Sequence, residues 1–247
     1  MTNSILKTSL TLLLLIFFGL GVTKNYAATP AKKKKAIRVL LIGGGASHDF
    51  DRWYKQEDVE TLQKDGFAAV EYTSDPSTIL SKLPNIDVLY LSNNQPISDP
   101  ATRKAIFDFV DSGKGLVLAH PALWYNWNDW PEYNQQLVGG GSKGHNKYGP
   151  FDVTITNKKH PVMKGVPTTF GLKDELYYYI AAPEATPIEI LATAKAADSE
   201  KVFPSIFIVK YPKGRIVGIA LGHDAESHTI EPYKTILRNS VKWVAGN

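Results

Sequence analysis

The 247-residue chain contains no cysteine. Disulfides, thiolate nucleophiles and thiolate metal sites are thereby excluded, so any metal must be held by imidazole or carboxylate. A membrane-spanning run is also missing: Leu10 to Leu20 is apolar, but a spanning helix needs about 20 such residues. A basic surface is lacking too. Lys and Arg number 28 against 24 Asp and Glu. Lys7, Lys24 and Lys32 to Lys35 all precede Ala36, which leaves 22 basic against 24 acidic residues beyond it. The body is close to neutral, which predicts no nucleic-acid partner.

The first residues carry a different signal. Lys7 lies in a polar start, an apolar core follows, and Tyr26-Ala27-Ala28 offers small residues for cleavage. This pattern predicts a secretory signal peptide over residues 1–28, removed near Ala27 or Ala28. An uncleaved anchor is the alternative. Removal would leave a Lys-rich tail over 29–35, one domain over 36–247, no stable membrane association and a periplasmic or secreted location. The remaining length is enough to bury one core without disulfides.

From Ile37 the chain alternates strand and helix patterns. Ile37–Ile42, Phe67–Thr73, Asp87–Leu91 and Gly115–Ala119 read as strands. Between them, Trp53 to Lys64 has helical spacing, Asp75-Pro76 opens a short helix, and Asp99-Pro100 caps a longer one. This rhythm predicts an α/β fold with a mainly parallel sheet covered on both faces. Residues 121–150 interrupt it with Trp124, Trp127, Trp130 and a glycine-rich stretch. The second half reads as strands over 151–156, 175–180, 188–192, 205–210 and 215–221, closed by a helix over 232–244.

Three histidines stand just past strand-like runs. Gly43-Gly44-Gly45 leads from the first run to His48, Ala119 runs into His120, and Leu221-Gly222 precedes His223. Ligands of open α/β sheets bind at the carboxyl ends of parallel strands, so parallel neighbours would bring these imidazoles together. His120 there suits a general base, a metal ligand or a structural ring bonded to nearby loops. His223 precedes Asp224, and His48 precedes Asp49; each carboxylate either orients its histidine or caps a loop. The three glycines lack the spacing and the Lys-Ser/Thr of a phosphate cradle, so no nucleotide cofactor is expected. His145 lies in a polar, glycine-rich segment read as mobile. Glu175 reads as a strand-end carboxylate, either ligand, base or solvated acid. His160 and His228 are weaker candidates, on an extended turn and in a polar loop. Trp124, nearest His120, offers an aromatic face to a sugar ring, or packs in the core. Lys143 and Tyr177 complete the candidate substrate contacts with His48, Asp49, Trp124 and Asp224.

Gly115-Leu-Val-Leu-Ala-His120, Gly139-Gly-Gly-Ser-Lys-Gly-His145, His160-Pro-Val162, Asp174-Glu-Leu-Tyr177 and the segment Gly214 to Asp224 occur in an order that resembles the ThuA-like (trehalose utilisation) family. The resemblance spans about residues 36–245. It implies a flavodoxin-like sheet similar to class I glutamine amidotransferases, with His120 where those enzymes carry their cysteine nucleophile. It thus implies the loss of glutaminase chemistry, in keeping with the absence of cysteine. It also implies a role in disaccharide breakdown, including routes through 3-keto sugars, a divalent metal, and a site made of His120, His145, Glu175 and His223.

The expectation is an exported enzyme acting on a disaccharide or 3-keto-glycoside by His/Glu acid–base chemistry, with a small sugar as its partner. His120 or Glu175 would act as base. His48, His120, His145 and His223 would hold a metal, zinc by ligand type. A zinc-type hydrolase of another small substrate and a non-catalytic carbohydrate-binding protein are the rival readings.

Overall fold

The computed structural model describes Met1 and residues 35–124, 129–196 and 199–246. The expected leader apart from Met1, most of the Lys-rich tail and Trp127 lie outside the described residues.

Five parallel strands build the part of the sheet that matters for the site. They stand in the order β2 (Ala68–Thr73), β1 (Ile37–Ile42), β3 (Val88–Leu91), β4 (Gly115–Ala119) and β11 (Arg215–Ile219). The apolar runs of β1, β3, β4 and β11 are buried on both faces, as inner parallel strands demand, while the edge strand β2 is partly exposed. Along β1, Val39 and Leu41 enter one core cluster while Leu40 and Ile42 enter the other. One face is covered by α1 (Phe50–Arg52), a π-helical turn over Trp53–Asp58, α2 (Val59–Gln63) and α6 (Glu231–Val244). The other is covered by α3 (Ile79–Lys82) and α4 (Pro100–Asp111), the latter capped by Asp99 with Pro100 at its first position.

Beyond β11 the sheet continues antiparallel through β10 (Val202–Val209), β9 (Ile188–Ala196), β6 (Gly149–Ile155) and β7 (Thr169–Asp174). This arm folds back on the parallel half, because Asp174 at the end of β7 hydrogen-bonds Gly222 and His223 just past β11. A separate ribbon pairs β5 (Gly140–His145) with β8 (Tyr177–Ala181). α5 (Ala225–Thr229) precedes α6. Among the described residues, no helix is long and apolar enough to cross a membrane.

Several expectations need correction. β1 and β4 are not neighbours, since β3 lies between them; only β4 and β11 pair directly. The glycine-rich segment before His145 is a strand, because Gly140 and Gly141 let it lie against β8: a Cβ on Gly140 would come within 2.1 Å of the Ile180 carbonyl oxygen. β7 was not foreseen, and the strand expected from Glu175 begins at Tyr177, with Glu175 in the corner between β7 and β8. The helix expected from Trp53 starts as a π turn, a feature often found at functional sites.

Candidate functional site

The carboxyl ends of β1, β4 and β11 do present their histidines to one another. Ring centroids of His48 and His120 lie 5.3 Å apart, those of His48 and His223 4.7 Å, and those of His120 and His223 5.7 Å. Glu175 joins them from the β7–β8 corner. Its Oε2 is 3.1 Å from His223 Nδ1 and 3.7 Å from His120 Nε2.

The His48 and His120 rings are aimed by backbone carbonyls, and the His223 ring faces Glu175. The first loop reaches His48 through Gly44, Gly45 and Ser47, all with positive φ. Asn94 braces it, accepting from the Ala46 amide and donating to the Ala46 carbonyl. His48 Nδ1–H donates to the Ala46 carbonyl at 2.9 Å, and His120 Nδ1–H to the Ala220 carbonyl at 2.8 Å. Both bonds aim the ring's Nε2 toward the centre. Burial, reinforced by nearby His120, pushes His48 down to about 3, so this ring is neutral. Burial pushes the Glu175 carboxyl up, but His120 and His223 outweigh it and hold the group well below the usual carboxylate range. The same Glu175 raises His223.

His48 Nε2 and His120 Nε2 are buried without a hydrogen-bond partner, and His223 Nδ1 is buried against Glu175. A ring nitrogen presented by an Nδ1–H···O=C bond is the usual posture of a metal-ligating histidine. The donor atoms of His48, His120, Glu175 and His223 all lie within 4.8 Å of one another. Zn–N bonds run about 2.0–2.1 Å, so the four would have to draw closer together to share one cation. The residues fit a divalent metal of the zinc type.

His145 is near but not in that set. It ends β5 at the rim, with Nδ1 3.4 Å from Glu175 Oε1 and 2.7 Å from the Asn146 carbonyl. In the group of donor atoms that lie close together, the fourth member is Glu175, and His145 is not part of it. Tyr177, opposite His145 in the ribbon, lays its ring 3.8 Å from that of His120. Trp124 stands beside both, 5.7 Å from His145 and 5.5 Å from Tyr177. A cleft of about 570 Å³ opens over the cluster, with Gln95, Trp124, His145, Glu175 and Tyr177 in its wall.

The other candidates have other work. Asp49 caps α1 by accepting from the Arg52 amide. Asp224 accepts from the Tyr148 hydroxyl at 2.8 Å, and the carboxylate beside the His223 ring is Glu175. Lys143 is exposed on β5 and is not among the described residues lining the cleft. His160 caps a short turn and packs on Trp243. His228 is fully buried and paired with Asp58.

Sequence reasoning missed Asp174 and the loop Asn93–Gln95. Asp174 is fully buried, and its carboxylate accepts from the amides of Glu175, Gly222 and His223 and from the Ser227 hydroxyl. The Asn93–Gln95 loop follows β3 on the same sheet edge, so the strand-end rule applied to β3 would have found it.

The family described as ThuA, trehalose utilisation, matches residues 23–244. Among solved structures, a ThuA-like protein from Parabacteroides merdae is 23% identical with a TM-score of 0.75, covering 85% of this chain and 90% of that one. A ThuA-like protein from Bacteroides uniformis is 23% identical with a TM-score of 0.72, covering 88% and 95%. The glutaminase domain of the Trypanosoma brucei CTPS is 10% identical with a TM-score of 0.53, covering 85% and 94%. These likenesses concern the fold, which is α/β and flavodoxin-like as expected. A search of the curated proteins finds no match.

Proposed function

Because the chain belongs to the ThuA, trehalose-utilisation family, we propose that it is a carbohydrate-processing enzyme whose centre is a divalent cation held by His48, His120, Glu175 and His223. Membership in the family carries a carbohydrate-related role. The convergence of three buried imidazole nitrogens and one carboxylate supports the rest. Zinc bound there would act as a Lewis acid toward a sugar carbonyl.

The substrate we assign is a 3-keto-glycoside. Its carbonyl acidifies the neighbouring C2–H. His145 would take that proton: with Nδ1–H donated to the Asn146 carbonyl and Glu175 nearby, Nε2 is left as the acceptor. The C–H electron pair becomes the C1–C2 double bond as the C1–O bond breaks. The departing alcohol oxygen takes a proton back, and water then adds across the double bond. General base help of this kind contributes about 10²–10⁴ in rate. Trp124 and Tyr177 offer apolar faces to the ring C–H groups. No pair of carboxylates of the usual glycosidase type is required.

The leader pattern over residues 1–28 supports export, and a mature protein starting near Ala28 or Thr29 by N-terminal sequencing tests that. The enzyme reading is tested by incubating metal-replete protein with a panel of 3-keto-glucosides. Turnover that disappears on chelation is expected. Tight sugar binding with no turnover would instead favour a non-catalytic binding protein, and full activity after chelation would remove the metal from the scheme.

A further inference from the structure

We propose that Asp174 is a positioning residue that fixes Glu175 and His223 relative to each other, and so sets the cluster's affinity for a divalent cation. The inference rests on the metal reading above. Glu175 and His223 follow strands that are not neighbours in the sheet, one after the edge strand β7 and the other after the central strand β11. Nothing in the strand register brings them together. Asp174 does: its Oδ1 accepts from the Glu175 amide at 2.8 Å and from the His223 amide at 3.0 Å. Its Oδ2 accepts from the Gly222 amide at 2.8 Å and from the Ser227 hydroxyl. One buried carboxylate thus ties the backbones of both ligands and the turn between β11 and α5.

The bonds are not interchangeable with those of an amide. In Asp174→Asn, the NH₂ group must face either the Glu175 and His223 amides or the Gly222 amide. Donor then meets donor in a site closed to water, and at least one amide contact is lost. The turn at Gly222 has little slack elsewhere. Its carbonyl already accepts from Tyr54 and His228, and its φ is +120°. Displacement of the backbone therefore moves the His223 ring away from Glu175.

The test is zinc affinity, read by competition with a chromophoric chelator. Asp174→Asn should weaken binding about 10–100-fold, the effect typical of groups that orient metal ligands. Val241→Ala, in the core contributed by α6, serves as a control that lowers stability and leaves zinc affinity unchanged. Equal affinity in wild type and Asp174→Asn overturns the inference while leaving the metal reading intact. Wild-type protein that binds no zinc overturns the metal reading itself, and this inference with it. Should Asp174→Asn not fold, amide hydrogen exchange on the wild type decides. Zinc should slow exchange at Glu175, Gly222 and His223 relative to Val39, because coupling between ligand set and support is reciprocal. Unchanged exchange at those three amides in zinc-loaded protein would overturn it.

Discussion

Asp58 and His228 form an ion pair closed to solvent, with Oδ1 2.7 Å from Nδ1. It stands directly behind the site, since His228 Nε2 reaches the Gly222 carbonyl at 3.1 Å. Tyr90 and Tyr233 donate to the second Asp58 oxygen, so the buried carboxylate is fully partnered. Burial pushes the His228 imidazole down, but Asp58 outweighs it and raises the ring above its ordinary value.

Breaking this pair should be costly. Removal of one partner of a buried ion pair destabilises by about 3–5 kcal/mol, because the other charge is left alone. His228→Gln should therefore lower the unfolding midpoint sharply at pH 6. A raised imidazole contributes stability that is complete below its unfolded value of about 6.5 and is lost as pH rises through the folded value. The stability gap between wild type and His228→Gln should narrow as pH increases toward alkaline values. Chemical denaturation across that range measures it, and a constant gap would count against the pairing.

How much of this was legible in the sequence depends on where the ordering force lies. The ends of β1, β4 and β11 were readable, because an apolar run ending in glycine or histidine is a local pattern. The order of strands was not, and β3 separates β1 from β4 for reasons of global packing. The strand at Gly140–His145 has no alternation to reveal it; it is ordered by the partner strand Tyr177–Ala181. In β7 the inward residues are Phe170, Leu172 and Asp174. A buried aspartate at the third place hides the alternation, and that aspartate is the one that ties the ligands together. Glu175 and His145 were both readable as site residues. Which of them faces the three imidazoles is set by the β7–β8 corner, and spacing in the sequence carries no trace of it.

The proton-transfer role of His145 separates from metal binding. His145→Ala should lower turnover of a 3-keto-glucoside by about 10²–10⁴ and leave the zinc content unchanged. Steady-state kinetics together with metal analysis of the same sample checks both halves. Loss of the metal in this variant would move His145 into the ligand set.

The first loop should tolerate no side chain at Gly45. A Cβ there would lie 1.7 Å from Asn94 Oδ1, at a φ of +126°. Gly45→Ala should cost on the order of 1–3 kcal/mol from backbone strain alone. It should also weaken zinc binding, because Ala46 holds the His48 ring. Thermal unfolding with and without zinc reads the two effects separately.

One cation shared by four side chains from distant parts of the chain is the premise of the proposed chemistry. Zinc stoichiometry of the stripped and reconstituted protein, measured beside His120→Ala and His160→Ala, tests it most directly. One zinc per chain in wild type and in His160→Ala, with none retained by His120→Ala, is the predicted result. No zinc above background in wild type, or the same zinc content in all three, would contradict it.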